Sequence, residues 1–292
     1  MVDQTFPESI DGWQTVSEPA CHAHWSSCDA ERDGYRGRLT LFAATVTESE
    51  TFRGIFRREV AFLGGLKHPH LPQLMGHGEL NGQFYCVFES TQAARLSAVL
   101  NAGHSTDELL DLLWQTASAV QQLHNAGLTH GQLKLDAVVV SDQLKVCLSG
   151  PCRAVWVATA SGLSTLFPDR IQADLDGLAD ILNVTTDMLA AEPGAAVREM
   201  SEQLRAGRMI ARDVQGQLGD LLLERSGDGI ELIDDRTGQY LSRRSIVDEL
   251  FEAATPPPAA PQTPSPKIAQ SWMILIAVIV AAAALLGILA FW

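Results

Sequence analysis

Basic residues are scarce in this sequence. Its 292 residues hold 21 Lys and Arg against 35 Asp and Glu, a formal net charge of −14, and no dense basic stripe interrupts the deficit. Binding a phosphodiester backbone requires clustered cations, so nucleic acid is excluded as a partner. CxxC pairs are missing too: the five cysteines, Cys21, Cys28, Cys86, Cys147 and Cys152, are odd in number. The opening stretch MVDQTFPESIDG is polar and acidic and lacks the features of a secretory leader. A reduced, cytosolic body is expected. With 46% apolar and 19% charged residues, a wholly disordered or fibrous chain is excluded.

Charge is absent altogether from Trp272 to Trp292 (WMILIAVIVAAAALLGILAFW). A helix over this run spans about 30 Å, the thickness of the bilayer hydrocarbon, and has no polar face. Indole rings stand at both ends, where they favour the interfaces, and Lys267 is the one base beside the run. The expectation is a single-pass C-terminal membrane anchor with the N-terminal body in the cytoplasm. Residues 255–271 are rich in Pro and Ala, show no apolar period and read as a semi-extended linker. All 35 acids lie upstream, in residues 1–254, so removing Lys267 from the 21 bases leaves that body at −15.

Within the body, Trp13 to Ser17, Trp25 to Asp29 and Arg38 to Val46 read as strands of an antiparallel meander. Glu50 to Leu66 places Phe52, Ile55, Phe56, Val60 and Leu63 at helical spacing, with Gly64 and Gly65 ending the helix and Glu59 falling on the apolar stripe. Strands at Gln73 to Glu79 and Gln83 to Glu89 flank Asn81-Gly82, a strong hairpin signal. A later helix opens on Ser105 with Glu108 completing a capping box, runs through Leu109, Leu112, Leu113, Val120 and Leu123, and stops near Gly127. Sheet first and helices later is an α+β order with two lobes.

From Arg57 to about Leu222 the chain resembles the eukaryotic-type protein kinases of the bacterial serine/threonine group. FRREVAFLGGLKHPHLPQL (Phe56 to Leu74) is similar to the regulatory helix, with its glutamate, and the turn that follows. GQFYCVFES (Gly82 to Ser90) is similar to the strand entering the hinge, Phe88 guarding the pocket. LHNAGLTHGQLKLDAVVV (Leu123 to Val140) resembles the catalytic loop, KVCLSG (Lys145 to Gly150) the DFG turn, and TLFPDR (Thr165 to Arg170) with ADLDGLADIL (Ala173 to Leu182) the APE turn and the helix behind it. The resemblance implies a two-lobed protein kinase-like fold: a small β-rich N-lobe, a helical C-lobe with a shortened αG region, and the transmembrane helix. Only 34 positions separate Asp174 from Arg208.

The resemblance fails at charged positions, and phosphoryl transfer depends on charges held in place. The first lysine is Lys67, already past Glu59, and aligning LTLF (Leu39 to Phe42) with VAIK puts Phe42 at the lysine position. No glycine occurs between Gly12 and Gly34, so the phosphate loop lacks its glycines. His130 and Lys134 match the catalytic loop, but Gln132 stands at the general-base position and Ala137 at the metal-binding asparagine; Leu148-Ser149-Gly150 replaces DFG. Asp136 and Asp142 lie nearby and read as a loop and a turn residue. Gly131 takes the place of the arginine that reads an activation-segment phosphate, which makes Ser161, Ser164 and Thr165 poor switch sites. The family's structural bridge would pair Asp169 with Arg208, and Asp174 would cap the catalytic loop. Glu59 loses its family partner, leaving three outcomes: an arginine, water, or an outward swing of the helix.

Cys21, His22, His24 and Cys28 gather where the phosphate loop should be. Their spacing matches no common zinc pattern, and strand alternation would send them to opposite faces, so ordinary strand and loop residues are expected. Residues 230–251 read as a hairpin around Asp234 to Gly238 and a short amphipathic helix capped near Ser245. The expected organisation is N-lobe 1–89, C-lobe 90–222, hairpin-helix extension 223–254, linker 255–271 and transmembrane helix 272–292. The expected function is a membrane-anchored pseudokinase, catalytically inactive, acting as a signalling scaffold or allosteric partner. The alternative is a divergent serine/threonine kinase with non-standard ATP binding. No catalytic, cofactor-binding or metal residue is assigned, no cofactor and no Mg-ATP are expected, and the partners are proteins, another kinase or a membrane complex.

Overall fold

A computed structural model of the chain describes residues 6–90, 93–160 and 170–226, together with two short strands at 232–234 and 239–241. The chain divides into two units, Met1–Gly227 and Asp228–Trp292. The first begins with strands β1 (Ser9–Ile10), β2 (Trp13–Thr15), β3 (Ala20–Cys21), β4 (Trp25–Arg32) and β5 (Tyr35–Phe42). Helices α1 (Ala44–Thr47) and α2 (Glu50–Gly65) follow, then strands β6 (Leu74–Leu80) and β7 (Gln83–Glu89). All of these strands join one antiparallel sheet in the order β1-β2-β4-β5-β7-β6, with β3 on β4.

Strand alternation gives this sheet two faces. Leu39, Leu41, Tyr85, Val87 and Cys28 turn outward into a small core with Ile10 and Trp13. Across the ladder, Phe42 is paired with Trp25, Thr40 with Ser27 and Cys86, and Arg38 with Asp29 and Phe88. These residues share the inner face, which the main core and the second lobe meet. The hairpin between β6 and β7 turns on Asn81 and Gly82, both at positive φ (51° and 81°), the geometry of a type I′ turn.

One strand expectation is corrected here. Val46 lies in α1, a helical turn beyond the end of β5. Beyond Phe42 the neighbouring strand has already reached its first residue, Trp25, so the ladder has no partner left. The Val46 and Thr47 amides bond instead to the Ala43 carbonyl. By contrast, α2 falls where its apolar spacing places it. Its N-cap Ser49 accepts from the Phe52 amide, and Phe52, Phe56, Glu59, Val60 and Leu63 are buried.

The second lobe holds β8 (Ala94–Arg95), α3 (Leu96–Val99), α4 (Thr106–Asn125), β9 (Val138–Val140), β10 (Val146–Leu148), α5 (Arg153–Ala160), α6 (Arg170–Thr186), α7 (Ala191–Arg205) and α8 (Ala211–Ser226). The α4 capping box is complete: the Ser105 hydroxyl accepts from the Glu108 amide, and the Glu108 carboxylate accepts from the Ser105 amide. Strands β10, β9 and β8 form a second antiparallel sheet beneath the cleft. Helix α8 runs four residues past the expected lobe end at 222. In the second unit, β11 (Leu232–Asp234) pairs antiparallel with β12 (Gln239–Leu241), the hairpin expected around Asp234 to Gly238. The expected helix near Ser245, the linker and the run 272–292 lie outside the described residues. Among the described residues, no helix is long and apolar enough to cross a membrane.

Candidate functional site

The site is built where the inner sheet face meets the loops after α4 and β10. Phe42, at the end of β5, is fully buried. Its ring lies 5.2 Å from Phe52, 5.8 Å from Phe56 and 5.8 Å from Trp156, and Phe84 closes the cluster 5.1 Å from Phe56. Edge-to-face packing of this kind is a dense apolar plug. The position that the resemblance gives to a lysine is therefore filled from three directions, by β5, α2 and α5.

Glu59 stays inside, and α2 stays packed. The Trp156 indole Nε1–H donates to Glu59 Oε2 at 2.7 Å, Arg58 Nη2 donates to Oε1 at 3.3 Å, and Arg170 Nη1 lies 4.0 Å from Oε1. Of the three outcomes left open by the sequence, arginine contributes, yet the shortest bond comes from an indole that sequence reasoning did not consider. Burial pushes the Glu59 carboxyl above its usual range, and the bonds from Trp156 and Arg58 pull it partly back.

The catalytic loop keeps its frame. Asp174, fully buried on α6, accepts from the His130 amide at 2.7 Å and the Gly131 amide at 2.8 Å, and His124 Nε2 stands 3.2 Å from it. This is the capping role implied by the resemblance. His130 Nδ1 faces the Gln132 amide, which makes Nε2 the protonated nitrogen and the donor to the Ser149 carbonyl at 3.0 Å. Burial holds the His130 imidazole below its usual pKa, so it is neutral there. Through this bond the catalytic loop is tied to the Leu148-Ser149-Gly150 turn.

The side chains on that frame differ from a phosphoryl-transfer set. Leu148 and Ala137 are buried apolar residues, while Gln132 and Lys134 are exposed. Asp136 accepts from Ser97 Oγ at 2.9 Å and Arg95 at 3.3 Å, which anchors it to β8 and α3. Asp142 is exposed in the turn between β9 and β10. Gly131 has φ +80°, and a Cβ there would stand 2.4 Å from Val155 Cγ2. Helix α5 thus packs where the missing arginine side chain would begin. Sequence reading did not anticipate α5: it is a single two-turn segment with no capping signal, shaped by what it packs against.

One cation does enter the site. Arg153, the first residue of α5, lies with its guanidinium carbon 5.0 Å from the Trp25 ring centroid. Burial lowers its pKa from the usual arginine value, and the neighbouring Arg38 charge pushes in the same direction. It was absent from the sequence-based reading because its position after the LSG turn carries no local signal.

Cys21 is exposed and Cys28 is buried. Cys21 pairs with Ser26, two residues before Cys28 on β4, so the register puts both cysteines on one face of the sheet rather than on the opposite faces expected. Among the described residues no three His, Cys, Asp or Glu side chains converge as a metal site would require. Ser161, Ser164, Thr165 and Asp169 lie outside the described residues.

The frame of two lobes, a buried glutamate on α2, and an aspartate clamping the loop after α4 defines a protein kinase-like domain. Residues 40–159 match the family described as protein tyrosine and serine/threonine kinase. The fold is shared with the PknI kinase domain of Mycobacterium tuberculosis: its C20A mutant aligns over 73% of this chain and 96% of its own, with a TM-score of 0.56 and 19% identity. Bacterial serine/threonine kinases are its homologues. A probable kinase of Bifidobacterium longum, pknA2, is 29% identical over 121 residues, which is 40% of this chain and 16% of that protein. PknE of Mycobacterium tuberculosis is 29% identical over 105 residues, 35% of this chain and 19% of its own length. The chain thus spans less than a fifth of each of these curated relatives.

These comparisons overturn the expectation that the chain is not an enzyme. Its homologues are named as serine/threonine kinases, and the matching family is a kinase family. The expectation rested on which residues are missing at fixed positions. Residues missing at fixed positions say nothing of side chains that reach the same region from other elements, as Arg153 reaches Trp25.

Proposed function

We propose that the chain is a divergent serine/threonine protein kinase with a non-standard grip on nucleotide. The observation that carries this reading is the intact bracing of the catalytic loop by Asp174 in a domain whose homologues are kinases. Lys134 and Asp136 are the charged side chains that the loop retains, and they receive the acid–base and phosphate-contacting work. Each missing ligating group weakens transfer by about 3 kcal/mol when removed singly, so turnover is slow.

The test is phosphate incorporation from γ-labelled ATP by the full chain, over long incubation and with magnesium or manganese. Incorporation that disappears in K134A and in D136A is the expected result. Incorporation equal to that of a heat-denatured control, in every metal condition, overturns the reading.

The apolar run 272–292 tethers this domain to a membrane in the same proposal, and its partners there are proteins, another kinase or a membrane complex. Its charge-free 21 residues support the tether. Fractionated cells should retain the chain in the carbonate-resistant pellet, and deletion of 272–292 should release it. Recovery of the intact chain in the soluble fraction counts against the tether.

A further inference from the structure

We propose that Arg153, stacked on Trp25 beside Arg38, is an anion site that takes a polyphosphate chain without a divalent metal. The inference rests on the kinase reading for its location in the cleft and deepens it by naming the group that replaces the absent lysine.

Arg153 has no ion pair and no hydrogen bond from its guanidinium to any described residue; its one described ring contact is with Trp25. A guanidinium drawn out of water needs an acceptor, and a partly buried one lacking it is costly. Stacking uses the face of the group and leaves its in-plane N–H donors unused. Those donors form a rigid fork that matches phosphate oxygens two at a time, which a lysine ammonium cannot do.

Its surroundings hold that fork in place. Gly150 has φ +67°, and a Cβ there would lie 2.9 Å from the Arg153 Cζ, so this glycine is what lets the guanidinium rest against the turn. The indole Nε1–H of Trp25 is itself buried and has no acceptor among the described residues, a second unused donor beside the first. Arg38 adds positive charge from β5 and repels Arg153. Asp29, the acid paired with Arg38 across the ladder, is already bonded to it at 2.9 Å. Among the described residues, these two guanidiniums against one carboxylate leave the cluster net positive.

Such a ligand would be held here through the Arg153 fork rather than through a protein-bound metal. At the two positions where the family resemblance places metal ligands, Leu148 and Ala137 offer no oxygen from their side chains. A polyphosphate chain is the shared chemistry of a nucleoside triphosphate and of free inorganic polyphosphate.

The full chain in detergent is titrated with ATP and, separately, with inorganic tripolyphosphate, each in excess EDTA. Wild type should bind, and R153M should bind at least tenfold more weakly while melting no lower than wild type, since the change removes a partly buried cation that has no ion pair among the described residues. R153K, which keeps the charge and loses the fork, should fall between them. Tighter binding of ATP than of tripolyphosphate assigns the site to a nucleotide; equal affinities assign it to the phosphate chain alone. Equal affinity in wild type and R153M, no binding by wild type, or binding only after magnesium is added each overturns the inference. Phosphate incorporation that survives R153M sinks this site and spares the kinase reading. Metal-free binding without incorporation does the reverse.

Discussion

Phe42 and Glu59 illustrate how one residue reshapes its neighbours. Placing an apolar ring at the end of β5 removes the cation that a buried carboxylate would ordinarily meet, and the Trp156 indole then becomes its nearest donor. W156F keeps an aromatic ring in the cluster but removes the donor together with part of the buried indole's volume, leaving a buried carboxylate oxygen short of a bond beside a small cavity. A loss of about 1–3 kcal/mol is expected, read from the urea midpoint. The pH dependence has a definite sign. Burial raises the Glu59 pKa in the folded chain above its usual 4.5, so the folded state holds this proton over a window in which the unfolded state has released it. The contribution is full below 4.5 and is lost as pH rises through the raised value. E59Q, which keeps an oxygen for the indole but cannot titrate, should flatten that part of the stability profile; an unchanged slope between pH 4 and 8 would show that other groups set it.

At the scale of elements, α5 decides the shape of the site. Its Val155 packs against Gly131, its Trp156 reaches Glu59, and its Arg153 reaches Trp25. G131A should cost about 2 kcal/mol or more, because the methyl meets Val155 at 2.4 Å and the backbone has φ +80°. The double change G131A/V155A should recover the steric share and leave the conformational share. If thermal melting shows the two effects to be additive, α5 does not sit on Gly131 as described. The elements that flank α5 were legible in advance for local reasons. Ser105 and Glu108 lie one helical turn apart and cap α4, Asn81-Gly82 imposes its own turn, and the α2 stripe repeats at 3.6 residues. Nothing local distinguishes α5, whose eight residues are too few to be helical without their contacts.

Across the folded domain, the second lobe is held together by residues far apart in sequence. Asp174 holds the loop after α4 from its place on α6, and His130 passes that hold to the turn after β10. D174A should therefore be among the most damaging single changes, leaving the buried His130 amide and the half-buried Gly131 amide without their acceptor. A cost of about 3–5 kcal/mol, or failure to fold, is expected by thermal melting. D174N tests the same point more gently, since it retains one acceptor for two donors and should lie between.

The sequence alone determined what depends on near neighbours and on position within a motif: the β-then-α order, the helix caps, the hairpin turn, and the identities at the lysine, base and metal positions. Asp174 was legible too, because its motif surrounds it. Tertiary structure decided which side chains meet across the cleft. Trp156 and Glu59 are 97 positions apart, and Arg153 meets Trp25 from a different lobe. Periodicity and spacing describe a chain along its length, whereas these contacts are chosen by packing, once an apolar ring has taken the lysine's place and a short helix has been pressed against it.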